Sequence, residues 1–300
     1  MVYIPRRTMP PYKAAFRLST SKLEISTMEE ISLNSWEQFE GQLQALEAKR
    51  QARLKQRASS STEYLFRGHS DATWALEATL DRFFAKRISL MQYYRYALMA
   101  RSRIEAFTGT RWSIPDHEEY ESWLKKREGT TFHDYQAYDY VAYLRHHGFP
   151  SPLLDWTESP YVAAFFAFRH ESRGATHVAI YAYQEYPGVG KITSSDRPII
   201  HRLGPYVSAH KRHFLQQSQY TFCTEIETGV VYYTQHQKVV ALNEQQQDLI
   251  WKFVLPIGER RKALAHLNRM NINAFSLFGT EDSLAETIAT SDIYVRGRDL

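Results

Sequence analysis

The chain has 300 residues, 43% hydrophobic and 23% charged, with a net charge of +4 and a pI near 8.9. That is a globular composition with enough length for an ordinary core, in one large domain or two small ones. A single cysteine, Cys223, excludes a disulfide framework and an all-cysteine zinc site, and it favours a reducing, cytoplasmic setting. Apolar runs stop short of the roughly 18–20 residues of a membrane span, so no membrane partner is expected. Met1 to Arg7 lacks the apolar stretch of a secretory signal.

Residues 1 to about 24, with paired prolines and no periodicity, read as an extended arm. Ser35 to Gln56 reads as a helix capped by Ser35. Trp36, Phe39, Leu43, Leu46 and Leu54 fall on one face, and the basic residues from Lys49 to Arg57 fall on a solvated one. A small polar linker at 58–62 leads to Tyr64-Leu65-Phe66, a short buried strand. Arg67 ends that strand, and Gly68 lets the backbone turn or lie close to a bound group. Leu80–Ile104 and Tyr135–His147 read as amphipathic helices on either side of a loop near Gly109–Pro115.

After a turn at Gly148–Pro152 come Asp155-Trp156-Thr157, and Thr157 or Ser159 caps a helix with Pro160 in its first turn. Tyr161 to Phe168, dense in Ala and Phe, reads as a helix buried all round. Strands are expected at Thr176–Tyr183, Tyr220–Glu225, Val230–Tyr233 and Ile250–Leu255. Helices follow at Gly258–Met270 and after Glu281-Asp282. No internal repeat is visible, and the sum is a mixed α+β fold.

A strand-end arginine reads equally well as a partner for a nearby acid and as a ligand for phosphate or carboxylate. Asp155, at a second polar break in an apolar run, shifts that balance towards one shared pocket. Trp156 reads as core or as a stacking wall. Asp155 reads as a carboxylate of the pocket, as a helix N-terminal acid, or as a partner that orients Arg67. The adjacent His146-His147 have no acid at metal-ligand spacing, and His210 and His213 suit a solvated basic face. No metal is therefore expected, and a zinc hydrolase is the weaker reading. No Gly-rich dinucleotide fingerprint appears.

The run Leu65-Phe66-Arg67-Gly68-His69-Ser70 continues to Trp74, Leu76 and Arg82. Then come His146 to Pro150, Leu153 to Pro160, Ala163 to Ala167 and Leu215 to Phe222. This order resembles the FRG domain family from about residue 63 to 290, leaving a helical extension at 1–62 and a tail at 291–300. FRG domains resemble divergent ADP-ribosyltransferases, which hold NAD in a split β-sheet and cleave its nicotinamide–ribose bond. The resemblance implies an ADP-ribosyltransferase-like split sheet with NAD as co-substrate. It also implies a binding set of Phe66, Arg67, Gly68, Trp156, Thr157 and Tyr161, with Thr157 and Tyr161 at the nicotinamide.

The third motif of that superfamily is usually a glutamate at a strand start, whereas this chain has Gln216-Gln217-Ser218, with Glu225 and Glu227 further along. Gln217 can orient a ribose hydroxyl but brings no negative charge. The expected catalytic set is therefore Arg67, Asp155, Gln217 and Glu225, with Asp155 or Glu225 supplying the charge. This implies a transferase toxin of a toxin–antitoxin or anti-phage system, with an antitoxin or chaperone as neutralising partner. Its acceptor would be nucleic acid or protein. The basic balance and 14% aromatic residues tilt the acceptor to single-stranded RNA. A non-catalytic nucleotide-binding module is the alternative from another class.

Overall fold

The computed structural model describes residues 28–56, 62–126, 136–185, 197–204, 211–241 and 248–297. The expected arm at 1–24, Arg57, His210 and the last three residues lie outside them.

In chain order the elements begin with β1 (Met28–Ser32), α1 (Trp36–Gln56), β2 (Leu65–His69), α2 (Thr79–Phe83), α3 (Leu90–Thr108), α4 (His117–Lys125) and α5 (Tyr138–His146). They continue with β3 (Leu154–Thr157), α6 (Pro160–Phe168), β4 (His177–Glu185), β5 (Ile199–Leu203), α7 (Lys211–Leu215), β6 (Ser218–Glu227) and β7 (Val230–Tyr233). The last are α8 (His236–Ala241), β8 (Asp248–Pro256), α9 (Arg260–Arg269), α10 (Ala274–Phe278) and α11 (Glu281–Ile288). No helix among the described residues is long and apolar enough to cross a membrane.

The fold is mixed α+β, built on one sheet in the order β1-β8-β4-β2-β3-β6-β5, with β7 paired to β6. The pair β1–β8 is parallel and the other pairs are antiparallel. The helix α6 packs on β2 and β4, and Val162, Ala163, Ala164, Phe165, Ala167 and Phe168 are all buried. A helix that is apolar all round must be covered all round, and α1 and α9 supply the outer layer through Trp36, Phe39, Leu264 and Leu267. The strand β4 is buried from Val178 to Glu185, so it carries an apolar run with both faces covered rather than a half-buried alternation.

Several elements differ from the sequence reading. The single helix expected over Leu80–Ile104 is broken, because Phe84 is extended and Ser89 begins a new helix by accepting from the Gln92 N–H at 3.1 Å. The basic face of α1 is partly docked. Arg53 donates to Gln184 Oε1 at 2.5 Å, and Lys49 lies 6.0 Å from the Trp251 ring centre. The strands β1 and β5 were not expected. β1 reads Met-Glu-Glu-Ile-Ser and has no apolar pattern of its own, so its pairing with β8 is what defines it.

Candidate functional site

The sheet is complete except at its centre. β2 pairs with β4 along all five residues, and β3 pairs with β6 along all four, but β2 meets β3 only at Phe66 and Thr157. Beyond that contact the two strands separate, and the gap between them is a cleft of about 380 Å³. Arg67, Gly68 and His69 form one lip, Asp155, Trp156 and Thr157 the other. Trp74, Arg82, His146, Ala163, Phe166, Gln216, Ser218 and Tyr220 complete the wall.

Each residue of the Phe-Arg-Gly run has a separate task. Phe66 lines the inner end of the cleft, but it is largely buried beside Tyr64, with ring centres 6.2 Å apart. Gly68 lies directly beneath α6, where a Cβ would meet the Ala163 carbonyl oxygen at 2.0 Å and the Ala167 nitrogen at 2.6 Å. The close approach expected at Gly68 is therefore to a helix backbone rather than to a ligand. Arg67 faces the gap. Its Nη1 donates to the Asp155 carbonyl oxygen at 2.8 Å and its Nε donates to His69 Nε2 at 3.0 Å. The guanidinium so bridges the two lips where the backbone ladder lapses.

Burial pulls the Arg67 pKa down to about 10, against the opposing pull of Asp155, and leaves it a cation at neutral pH. His69 is pushed down to about 3 by burial and by the Arg67 charge, so its ring is neutral. Because Nε2 accepts from Arg67, the ring proton sits on Nδ1. The ring packs edge-on to Tyr181 at 5.0 Å.

Asp155 does not offer a free carboxylate. Arg145, at the end of α5, grips both carboxylate oxygens through Nε and Nη2. Burial would raise the Asp155 pKa, but the Arg145 charge and hydrogen bonds, with Arg67 behind them, hold it below the ordinary range. Arg67 Nη1 stands 4.0 Å from Asp155 Oδ2, beyond a hydrogen bond. Asp155 is the one carboxylate among the described residues lining the cleft, which also carries Arg67 and Arg82. The cleft is an electropositive place with aromatic and apolar walls, which suits an anionic ligand carrying a flat ring.

The other expected residues divide. Thr157 reaches the cleft, but its hydroxyl donates to the Gln216 carbonyl at 2.7 Å and accepts from the Ser159 N–H at 3.1 Å, tying the lip to the segment before β6. The cap of α6 is Ser159, which accepts from the Val162 N–H at 3.3 Å. Trp156 touches the cleft but is 3% exposed. Its Nε1 donates to Thr221 Oγ1 at 2.7 Å, and its ring packs 5.4 Å from Tyr183. Tyr161 turns away and packs 6.3 Å from Trp36. It stands two residues before Ala163, about 200° around the helix from the cleft face.

Gln217 is not on the cleft wall, which its neighbours Gln216 and Ser218 line. It has φ of 48° and uses its carbonyl to accept the Glu158 N–H at 3.1 Å. Glu225 lies seven residues beyond Ser218 along β6, roughly 23 Å away at strand rise. There Arg87 and Lys238 both grip it. Glu225 thus cannot supply the charge at the cleft.

His146 lines the cleft, with Nε2 2.8 Å from the Tyr220 hydroxyl, while His147 packs 4.2 Å from Tyr143. His213 is buried and stacks on Tyr220 at 5.6 Å instead of facing solvent. Among the described residues, no group of three or more His, Cys, Asp or Glu is placed to hold a metal. The sequence reading passed over Arg145, Arg82, Trp74 and Phe166 as site residues. For Arg145 there was a signal: it follows buried Val141 by four residues, and a charge on a buried helical stripe implies a partner.

Residues 62–175 match the family model described as FRG domain. That stretch runs from β2 through α6, and so includes Arg67, Arg145, Asp155 and Ala163 but none of β6. No curated protein and no solved structure matches the chain.

Proposed function

We propose that the cleft binds NAD and that the chain is an ADP-ribosyltransferase whose acceptor is a macromolecule. The observation that carries this reading is the Arg67 guanidinium, fixed at the parting of β2 and β3 in a cleft whose wall also holds Arg82. Two arginines suit a pyrophosphate, since planar guanidinium groups match phosphate oxygens in charge and geometry. Trp74, 48% exposed on the same wall, offers a face for a ring. The parted strands also agree with the split sheet that the ADP-ribosyltransferase resemblance implies.

NAD supplies an activated nicotinamide–ribose bond, and what the chain contributes is placement and electrostatics. Arg67 and Arg82 hold the diphosphate, the apolar wall of Ala163 and Phe166 keeps water from the ring, and Ser218 adds a polar residue to the same wall. Single-stranded RNA is the proposed acceptor, with a protein as the alternative, because the +4 charge suits a polyanion. A toxin controlled by an antitoxin or chaperone is the setting that goes with it. One observation favours a binding module instead: the cleft's only described carboxylate, Asp155, is already held by Arg145.

The test is incubation of the purified chain with NAD labelled in its adenosine half, alongside separate RNA, DNA and protein fractions. Label in the RNA fraction supports the proposal as stated, and label in protein alone moves the acceptor. Absence of label from every fraction, with NAD still bound, selects the binding module.

A further inference from the structure

We infer that Arg145 is a positioning residue, which keeps Arg67 available to an anion by occupying the carboxylate of Asp155. The inference rests on the reading of the cleft as a diphosphate site.

Arg145 is absent from the cleft wall and its side chain is 11% exposed, so it acts on a ligand only through others. Its Nε and Nη2 form a two-pronged pair with the two oxygens of Asp155. Its Nη1 lies 3.4 Å from Thr79 Oγ1, which also accepts from the Ser151 N–H at 2.8 Å. The arginine is thereby locked between α5, β3 and the start of α2. Arg67 makes a different set of bonds to the same aspartate. It donates to the main-chain oxygen at 2.8 Å and stands off the carboxylate at 4.0 Å.

The arrangement has a consequence for charge. With Arg145 in place the carboxylate is already neutralised, and the Arg67 cation is free for a ligand. Without Arg145, the nearest cation to Asp155 is Arg67, and a small rotation would close the remaining distance into a strong ion pair. An arginine captured in that way no longer serves a phosphate. Removing the captor along with Arg145 should release Arg67 again, because Asp155→Asn keeps the main-chain oxygen that orients the guanidinium. Replacing both members of the pair also avoids leaving one charge without its partner.

The test is calorimetric titration with NAD, ADP-ribose and inorganic pyrophosphate, each separately, into the parent chain, Arg145→Met, Arg145→Lys and Arg145→Met/Asp155→Asn, each checked for folding by circular dichroism. Loss of a charge-assisted bond to phosphate predicts roughly tenfold weaker binding in Arg145→Met. Arg145→Lys, which keeps a cation against Asp155, should retain most of the affinity. The double variant should regain it, a rescue that damage to the fold would not produce. A double variant as weak as Arg145→Met, or an unaltered Arg145→Met, overturns the inference. If Arg145→Met does not fold, the double variant and Arg145→Lys decide, and loss of binding in both overturns it. Parent binding of pyrophosphate without ADP-ribose or NAD defeats the NAD reading while the positioning role is still read from pyrophosphate. Binding of neither defeats both.

Discussion

Gly68 and Ala163 are in backbone contact: a Cβ on Gly68 would stand 2.0 Å from the Ala163 carbonyl oxygen. The strand that carries Arg67 is thus seated on α6 with no side chain between them, and that seat fixes the height of the arginine in the cleft. Gly68→Ala forces a helix and a strand apart, and neither is a flexible side-chain tip. We expect a loss of about 2–3 kcal/mol in urea denaturation, with weaker ligand binding as β2 shifts. A variant within about 0.5 kcal/mol of the parent would contradict the seat.

Trp74 and Trp156 both touch the cleft but differ in burial. Trp74→Ala removes an exposed ring and should weaken NAD binding roughly tenfold, with little change in stability. Trp156→Phe removes the donor to Thr221 Oγ1, which also bonds His236 Nε2 at 2.7 Å. It should cost about 1–2 kcal/mol of stability and leave affinity nearly unchanged. Titration and thermal unfolding of the two variants separate these roles, and an exchange of the two outcomes would refute them.

His69 sets a pH dependence of stability. Its pKa is about 3 in the folded chain against an ordinary 6.5. Above pH 6.5 both folded and unfolded forms carry a neutral ring, and the full contribution is present. Between 6.5 and 3 the unfolded form takes up a proton that the folded form refuses, so stability falls as pH falls. His69→Gln keeps an acceptor for Arg67 Nε and does not titrate. Its stability should decline less than the parent's between pH 6.5 and 5, above the ordinary carboxylate range, as read by urea midpoints. Parallel curves would contradict the assignment.

Glu225 is paired with Arg87 and Lys238 on the flank of the sheet, far along β6 from the cleft. Its pKa is lowered, since the bonds to Lys238 and Arg87 outweigh the effect of burial. The pair therefore stabilises above the ordinary glutamate value of 4.5 and fades as pH falls through the lower folded value. With both cations half-exposed, Glu225→Gln should cost about 1 kcal/mol or less at neutral pH. Nicotinamide release should not change. A collapse of that activity would bring Glu225 back into the chemistry.

Much of the site could be read in the sequence because it lies where regular patterns stop. Arg67 interrupts an apolar run, although β2 continues through Gly68 to His69 instead of ending there as expected, and Asp155 interrupts another, so both stood out as exceptions. The meaning of those exceptions was less accessible. Whether Asp155 faces a substrate or Arg145 depends on how α5 is laid beside β3, which no local spacing encodes. Tyr161 was misplaced for a related reason: it adjoins the lip in sequence, yet helical phase carries it to the far side of α6. β1 escaped notice because its pairing partner, rather than its own residues, defines it, whereas β5 carries Ile199, Ile200 and Leu203 and was legible in principle. The break between α2 and α3 was visible in principle, since Ser89 and Gln92 form a capping box inside an otherwise helical run.

The most direct measurement of the central claim is the release of nicotinamide from NAD by the purified chain and by Arg67→Ala, each incubated with the RNA and protein fractions that supply an acceptor, followed by chromatography. We predict release by the parent and a fall of at least about a hundredfold in the variant, from loss of the guanidinium that holds the diphosphate. Equal release by the two proteins, or none by the parent, would contradict the account.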